Sequence, residues 1–92
     1  MDETTIVWTD YMRYRIGLRG FDLLVIERIV RHSAERYVDV ATGRYVVVGR
    51  HGRRLVMIPY ERESQTVTPV TIHATSREQV KSRVKSGRFR HE

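Results

Sequence analysis

Apolar positions along this chain change their period once, near Arg36. Before that point Leu23, Ile26 and Val30 recur at helical spacing and Leu24 and Ile29 widen the stripe. Glu27 stands four residues ahead of Arg31, where an ion pair supports a helix, and Asp22 offers the cap. A shorter helix is predicted ahead of it, from a cap at Thr9 or Asp10 through about Leu18, with Gly20 as its stop. Residues 1–9 read as a loose or extended leader.

From Arg36 onward apolar and polar positions alternate, which predicts strands. Residues 37–40 and 44–50 flank the turn Ala41-Thr42-Gly43, whose glycine suits the left-handed position of a three-residue hairpin loop. His51-Gly52 supplies a second turn into a strand over residues 53–60, residues 61–66 form a charged connection, and a fourth strand is expected over 67–74. Pro69 cannot donate to a ladder and implies an edge or a bulge there. Helical character returns over 76–86, where Thr75 and Glu78 have the spacing of a capping box, Val80 and Val84 form a narrow apolar seam, and Gly87 is a stop. The expected architecture is an α+β domain over residues 10–89. It has two N-terminal helices, a four-stranded antiparallel meander and a C-terminal basic helix, with one sheet face covered, the other open, and residues 90–92 left as a tail.

Charge sharpens this picture. The last eighteen residues hold Arg77, Lys81, Arg83, Lys85, Arg88 and Arg90 against Glu78 and Glu92, which is +4 of the chain's +6. Arg77, Lys81, Lys85 and Arg88 fall within one helical stripe, the arrangement of a surface that tracks a phosphate backbone. Fifteen of the seventeen cations are Arg, which grips phosphate bidentately and stacks on bases, and the sequence pI is about 10.3. A polyanion or an acidic protein fits such a surface. The chain has no Cys, which excludes disulfides and Cys-based zinc sites. No run approaches the roughly 20 apolar residues of a membrane span, and nothing resembles a signal peptide, so a soluble cytoplasmic protein without a membrane partner is expected.

The four histidines, His32, His51, His73 and His91, show neither HxxxH nor HExxH spacing, and no Gly-rich phosphate loop or Ser-His-Asp order accompanies them. No metal or cofactor is expected. Metal-free phosphodiester chemistry remains, in which a His moves the 2′-hydroxyl proton and guanidinium groups stabilise the developing charge. His73, at a strand end, and Arg77, at the start of the following helix, form the most economical pair, with Arg53 as a further guanidinium. Tyr37, Asp39 and Tyr45 are candidates for the open sheet face, ringed by Arg50, Arg53, Arg54 and Arg77, where aromatics among arginines suit stacked single-stranded RNA.

The run Asp10-Tyr11-Met12-Arg13-Tyr14-Arg15-Ile16-Gly17-Leu18-Arg19-Gly20-Phe21 resembles the first-helix pattern His-x3-Arg-x3-Arg-Gly-Ile of small BrnT-like toxins, with Tyr11 in place of the His and Phe21 in place of the Ile. The Thr42-Gly43-Arg44 hairpin, the apolar segment from Leu55 to Ile58, and His73-Ala74-Thr75-Ser76-Arg77-Glu78 leading to Ser86-Gly87-Arg88-Phe89 are also similar. The resemblance implies a RelE-superfamily fold, a toxin of a type II toxin-antitoxin system, a cognate antitoxin partner, and endoribonuclease activity that blocks translation by cutting RNA, with ribosome-bound mRNA among the expected substrates. By position it carries Arg15 and Arg19 over as the pattern's two arginines and Arg77 as its basic residue after the last strand. The expected site is therefore His73, Arg77 and Arg53 for catalysis, with Arg15, Arg19, Arg50, Arg54, Lys81, Lys85 and Arg88 binding RNA. The rival reading is a non-catalytic nucleic-acid- or protein-binding module in which the same arginines only contact phosphate or an acidic partner.

Overall fold

The computed structural model describes residues 3–92. In chain order its elements are β1 (Thr5–Ile6), α1 (Asp10–Leu18), α2 (Leu23–His32), β2 (Arg36–Asp39), β3 (Arg44–His51), β4 (Arg54–Glu63), β5 (Thr66–Pro69), β6 (His73–Thr75), α3 (Arg77–Lys85) and β7 (Phe89–His91).

The expected α+β architecture with its four-stranded antiparallel meander is overturned. The strands form one seven-stranded mixed sheet in the order β1-β5-β4-β3-β2-β7, with β6 paired to β4 off that path. Strand β1, inside the expected leader, runs parallel to β5 and is held by Thr5 N–H donating to the Gln65 carbonyl at 2.8 Å and Val7 N–H to the Val67 carbonyl at 2.9 Å. Two residues are too few to show a period of two, and the strand forms through this backbone pairing together with Ile6, which packs on the core. At the other end, residues from the expected tail return as β7, antiparallel to β2, with Phe89 opposite Asp39 and His91 opposite Tyr37.

The expected fourth strand is two strands. Strand β4 extends through the charged connection to Glu63, and its far edge is shared: β5 pairs with residues Tyr60 to Glu63 and β6 with Leu55 to Met57. Pro69 ends β5 opposite Tyr60, and just beyond it Val70 N–H donates to the Pro59 carbonyl at 2.8 Å before the chain leaves the ladder. The N–H side of Pro69 faces β1, as that of Val67 does, so the ladder bond missing here is the one Pro59, with no N–H, cannot return to Val70.

Helices lie on both faces of the central sheet, so the expected open face is largely covered. Helices α1 and α2 cover one, where Met12, Ile16, Ile26 and Ile29 pack on Val47, Val56 and Ile58. Helix α3 lies on the other, where Val80, with Val84 at its margin, packs on Val46, Val48, Leu55 and Phe89. Caps set the helix starts: Thr9 accepts from Met12 N–H at 3.0 Å and Asp22 from Leu24 N–H at 2.9 Å. The cap of α3 is Ser76, not Thr75; its hydroxyl accepts from Gln79 N–H at 3.1 Å, while Thr75 bonds the Gln79 side chain at 3.0 Å. Ser76 and Gln79 have the spacing of a capping box one frame along from the expected pair. Helix α2 approaches β3 closely at Gly49, where a Cβ would stand 2.7 Å from Ile29 Cγ2. Among the described residues no helix is long and apolar enough to cross a membrane.

Two substitutions test these contacts by urea denaturation. Gly49→Ala should lose about 1–3 kcal/mol, the usual cost of overpacking, because the obstruction is the branched stem of Ile29; a neutral result would mean that α2 is free to shift. Ser76→Ala should lose about 1 kcal/mol and more than Thr75→Ala, whereas the reverse order would restore Thr75 as the cap.

Candidate functional site

On the α3 face a groove of about 440 Å³ opens between α3 and β6. Its floor includes Met57 and Pro59 of β4, one wall carries His73, and the opposite wall carries Gln79 and Arg83 of α3. His73 stands opposite Met57 in the ladder, which turns its side chain to this face. The placement follows from local features: β6 starts only after the break behind Pro69, and the cap at Ser76 turns the chain from β6 straight into the helix that forms the far wall.

Burial pushes the His73 imidazole below its ordinary pKa of 6.5, and the charges of Arg15, Arg19 and Arg83 push it the same way. The ring is therefore uncharged at neutral pH and can accept a proton. Arg83 donates to Met57 Sδ at 3.3 Å and lies 5.5 Å from the centroid of the Phe89 ring, with no carboxylate partner among the described residues. Arg44 and Arg88 also line the groove but are engaged. Arg44 Nε is 3.4 Å from Glu61, and Arg88 holds Asp39 with two bonds of 3.0 and 3.1 Å. Burial would raise the Asp39 carboxyl, but the bonds from Arg88 and from the Ala41 N–H outweigh it and hold the group below its ordinary value.

The other expected site residues are dispersed. Arg77 does not line the groove; its guanidinium is 2.6 Å from Glu35, which also accepts from the Tyr37 hydroxyl at 2.7 Å. Burial tends to raise Glu35, yet the bonds from Arg77 and Tyr37 prevail and lower it, while burial and Glu35 together push the Tyr37 phenol up to about 12. Arg53 is exposed in the β3–β4 turn, where its carbonyl accepts from Arg50 at 3.3 Å. Arg54 lies on the opposite face, 4.1 Å from the centroid of the Phe21 ring and donating to the Arg19 carbonyl at 3.2 Å. Arg15 donates to the Ile72 carbonyl at 2.9 Å, tying α1 to the segment just before His73. Lys81 and Lys85 border a separate apolar cleft with Tyr37, Val84 and His91.

Two expectations thus change. The basic stripe is broken by ion pairs at Arg77 and Arg88, leaving Lys81 and Lys85 as its unpaired members among the described residues. Tyr37 and Tyr45 form no shared platform: Tyr37 is buried 5.3 Å from Phe89, and Tyr45 packs on Tyr60 at 5.5 Å on the other face. The guanidinium that accompanies His73 in the groove is Arg83, not the expected Arg77. The signal for Arg83 is the four-residue spacing from Gln79, legible only once Val80 is known to face the sheet.

Among the described residues no three His, Asp or Glu side chains gather as a metal-ligand set. No family model, curated protein or solved structure matches the chain.

The Arg88–Asp39 pair yields a pH test. Arg88→Ala should lose about 1–2 kcal/mol at neutral pH, low for bonds to a charged group, because the Arg88 side chain is 42% exposed and screened by water. Asp39 is held below its ordinary 3.8, so its pairing stabilises the fold above that value and the contribution is lost as pH falls through the lower folded value. Urea titrations should show the gap between wild type and variant closing in acid; a gap independent of pH would assign the loss to packing of the Arg88 stem.

Proposed function

We propose that the chain is a metal-independent endoribonuclease, acting as the toxin of a toxin-antitoxin pair, with the α3 groove as its site. The observation that carries this reading is His73 facing a groove that also holds Arg83, a cation with no carboxylate partner among the described residues, with burial and neighbouring arginines pushing the imidazole below its ordinary pKa. In the proposed step His73 takes the proton of an RNA 2′-hydroxyl, and the freed oxygen attacks the adjacent phosphorus. The bond to the 5′-oxygen breaks, that oxygen takes a proton from water, and a 2′,3′-cyclic phosphate remains. Arg83 offsets the charge that builds on the phosphorane oxygens. Arg15 and Arg19 help keep His73 in its basic form and attract the phosphate backbone. Support for the toxin setting comes from the first-helix and Ser86-Gly87-Arg88-Phe89 similarities, and an acidic antitoxin segment would complement the same positive field.

One observation favours the rival reading of a non-catalytic binding module. Asp39, the carboxylate in the groove, is engaged by Arg88, so a second proton-transfer side chain is not at hand.

Cleavage of a labelled single-stranded RNA in the presence of EDTA separates the two. Wild type should cut, His73→Ala should lose roughly 10²–10⁴-fold in rate while still binding, and Arg83→Gln should lose rate and move the acid limb of the pH profile upward, since removing a cation raises the His73 pKa. Arg77→Gln should change cleavage far less. RNA that is bound but left intact by wild type, or cut undiminished by His73→Ala, would leave the binding module as the function.

A further inference from the structure

Helix α1 carries apolar side chains on two sides, and only one is used in packing. Met12 and Ile16 are buried in the core, whereas Tyr11, Tyr14 and Leu18, at i, i+3 and i+7, are 55%, 62% and 62% exposed. Those spacings place the three on one outward stripe. Fold stability does not account for it, since large aromatic groups exposed together on a helix gain little from burial, and contiguous apolar surface of this kind marks a binding site.

The stripe's neighbours indicate what it binds. Arg15 and Arg19, each four residues from the next and beginning four after Tyr11, fall between the buried side and the tyrosine side of α1. Arg15 reaches the Ile72 carbonyl, and the charges of both arginines act on His73 in the next residue position. Arg15 and Arg19 therefore lie between the two exposed tyrosines and the β6 edge of the sheet, round which His73 turns into the groove on the other face. A chain with anionic linkages and flat apolar faces meets both features at once: phosphates beside Arg15 and Arg19, bases against the rings. Unpaired bases stack on tyrosine irrespective of sequence, whereas a duplex keeps its base faces inside.

We infer that Tyr11 and Tyr14, extended by Leu18, are a stacking platform for unpaired bases of a single-stranded nucleic acid whose backbone runs past Arg15 and Arg19 toward His73. This rests on the RNA reading of the groove and adds to it the substrate form: single-stranded, with its contacted bases outside the groove. The sequence places the tyrosines within the BrnT-like run, but the platform is a property of their exposure beside the cationic row.

The test uses single-stranded 2′-O-methyl RNA, which offers no 2′-hydroxyl for cleavage, and the same strand with its central bases removed, so that charge is constant. Wild type should bind the base-bearing strand more tightly, and Tyr11→Ala and Tyr14→Ala should each weaken that binding about tenfold, the scale of stacking one base. The abasic strand should be bound equally by all proteins, with an unchanged salt slope because no charge is removed. Tyr→Phe variants should retain binding, and thermal melting should show the Ala variants folded. Equal affinity of wild type for the two strands, or full affinity in the double Ala variant, overturns the platform. So does a fall in molecular mass of the Ala variants, which would assign the stripe to contact between copies of the chain. Cleavage of unmodified RNA by wild type, measured in parallel, reports on the groove's catalytic reading separately: a cutting enzyme with no preference for bases loses only the platform, and a preference for bases without cutting loses only the catalysis.

Discussion

Val46, Val47 and Val48 are consecutive and all buried, which a strand permits only if both of its faces are covered. In β3 they serve two cores at once: Val47 meets the helices α1 and α2, while Val46 and Val48 meet α3 and Phe89. Strand β4 repeats the arrangement with Val56 and Ile58 on one side and Leu55 on the other. This two-sided burial obliges α3 to lie on the sheet, and a helix with only Val80 and Val84 to offer cannot cover the whole face. The uncovered strip beside it is the groove that holds His73.

Much of the positive charge near the C-terminus serves attachment. Arg77 reaches Glu35 at the start of α3, and beyond its end Arg88 grips Asp39, so each end of the docked segment is pinned to the β2 region by a cation. Ion pairs of this kind contribute modestly when half-exposed, but they fix orientation. Orientation is what the site depends on, because a rotation of α3 about its axis would exchange Gln79 and Arg83 for Lys81 in the wall facing His73. Three of the arginines with no carboxylate contact among the described residues, Arg83 in the groove and Arg15 and Arg19 on α1, converge electrostatically on His73 from different elements. Their mutual repulsion is a cost in stability that a bound polyanion would offset.

Elements whose signal is local were legible in the sequence. The stripe Leu23, Ile26, Val30 and the cap Asp22 place α2, the pair Glu27–Arg31 forms at 3.0 Å, and Gly43 and Gly52 take the positive φ their turns require. His73 was expected near the end of a strand over 67–74, whereas it opens the short strand β6. The partner of His73 was not legible: nearness in sequence points to Arg77, whereas α3 directs that residue to Glu35 and directs Arg83 to the groove.

The sequence by itself determined where helix and strand periods change, which residues cap and turn, and that the chain carries an excess of arginine. Those follow from interactions within a few residues. Tertiary structure alone decided the parallel edge strand at Thr5–Ile6, the division of the last predicted strand into β5 and β6, the closing strand β7, and which arginines are neutralised. The physical reason is the same in each case. A two- or three-residue strand has no periodicity to read and exists because a distant backbone presents free N–H and C=O groups, and an ion pair such as Arg88–Asp39 joins residues that only the docking of α3 brings within 3.0 Å.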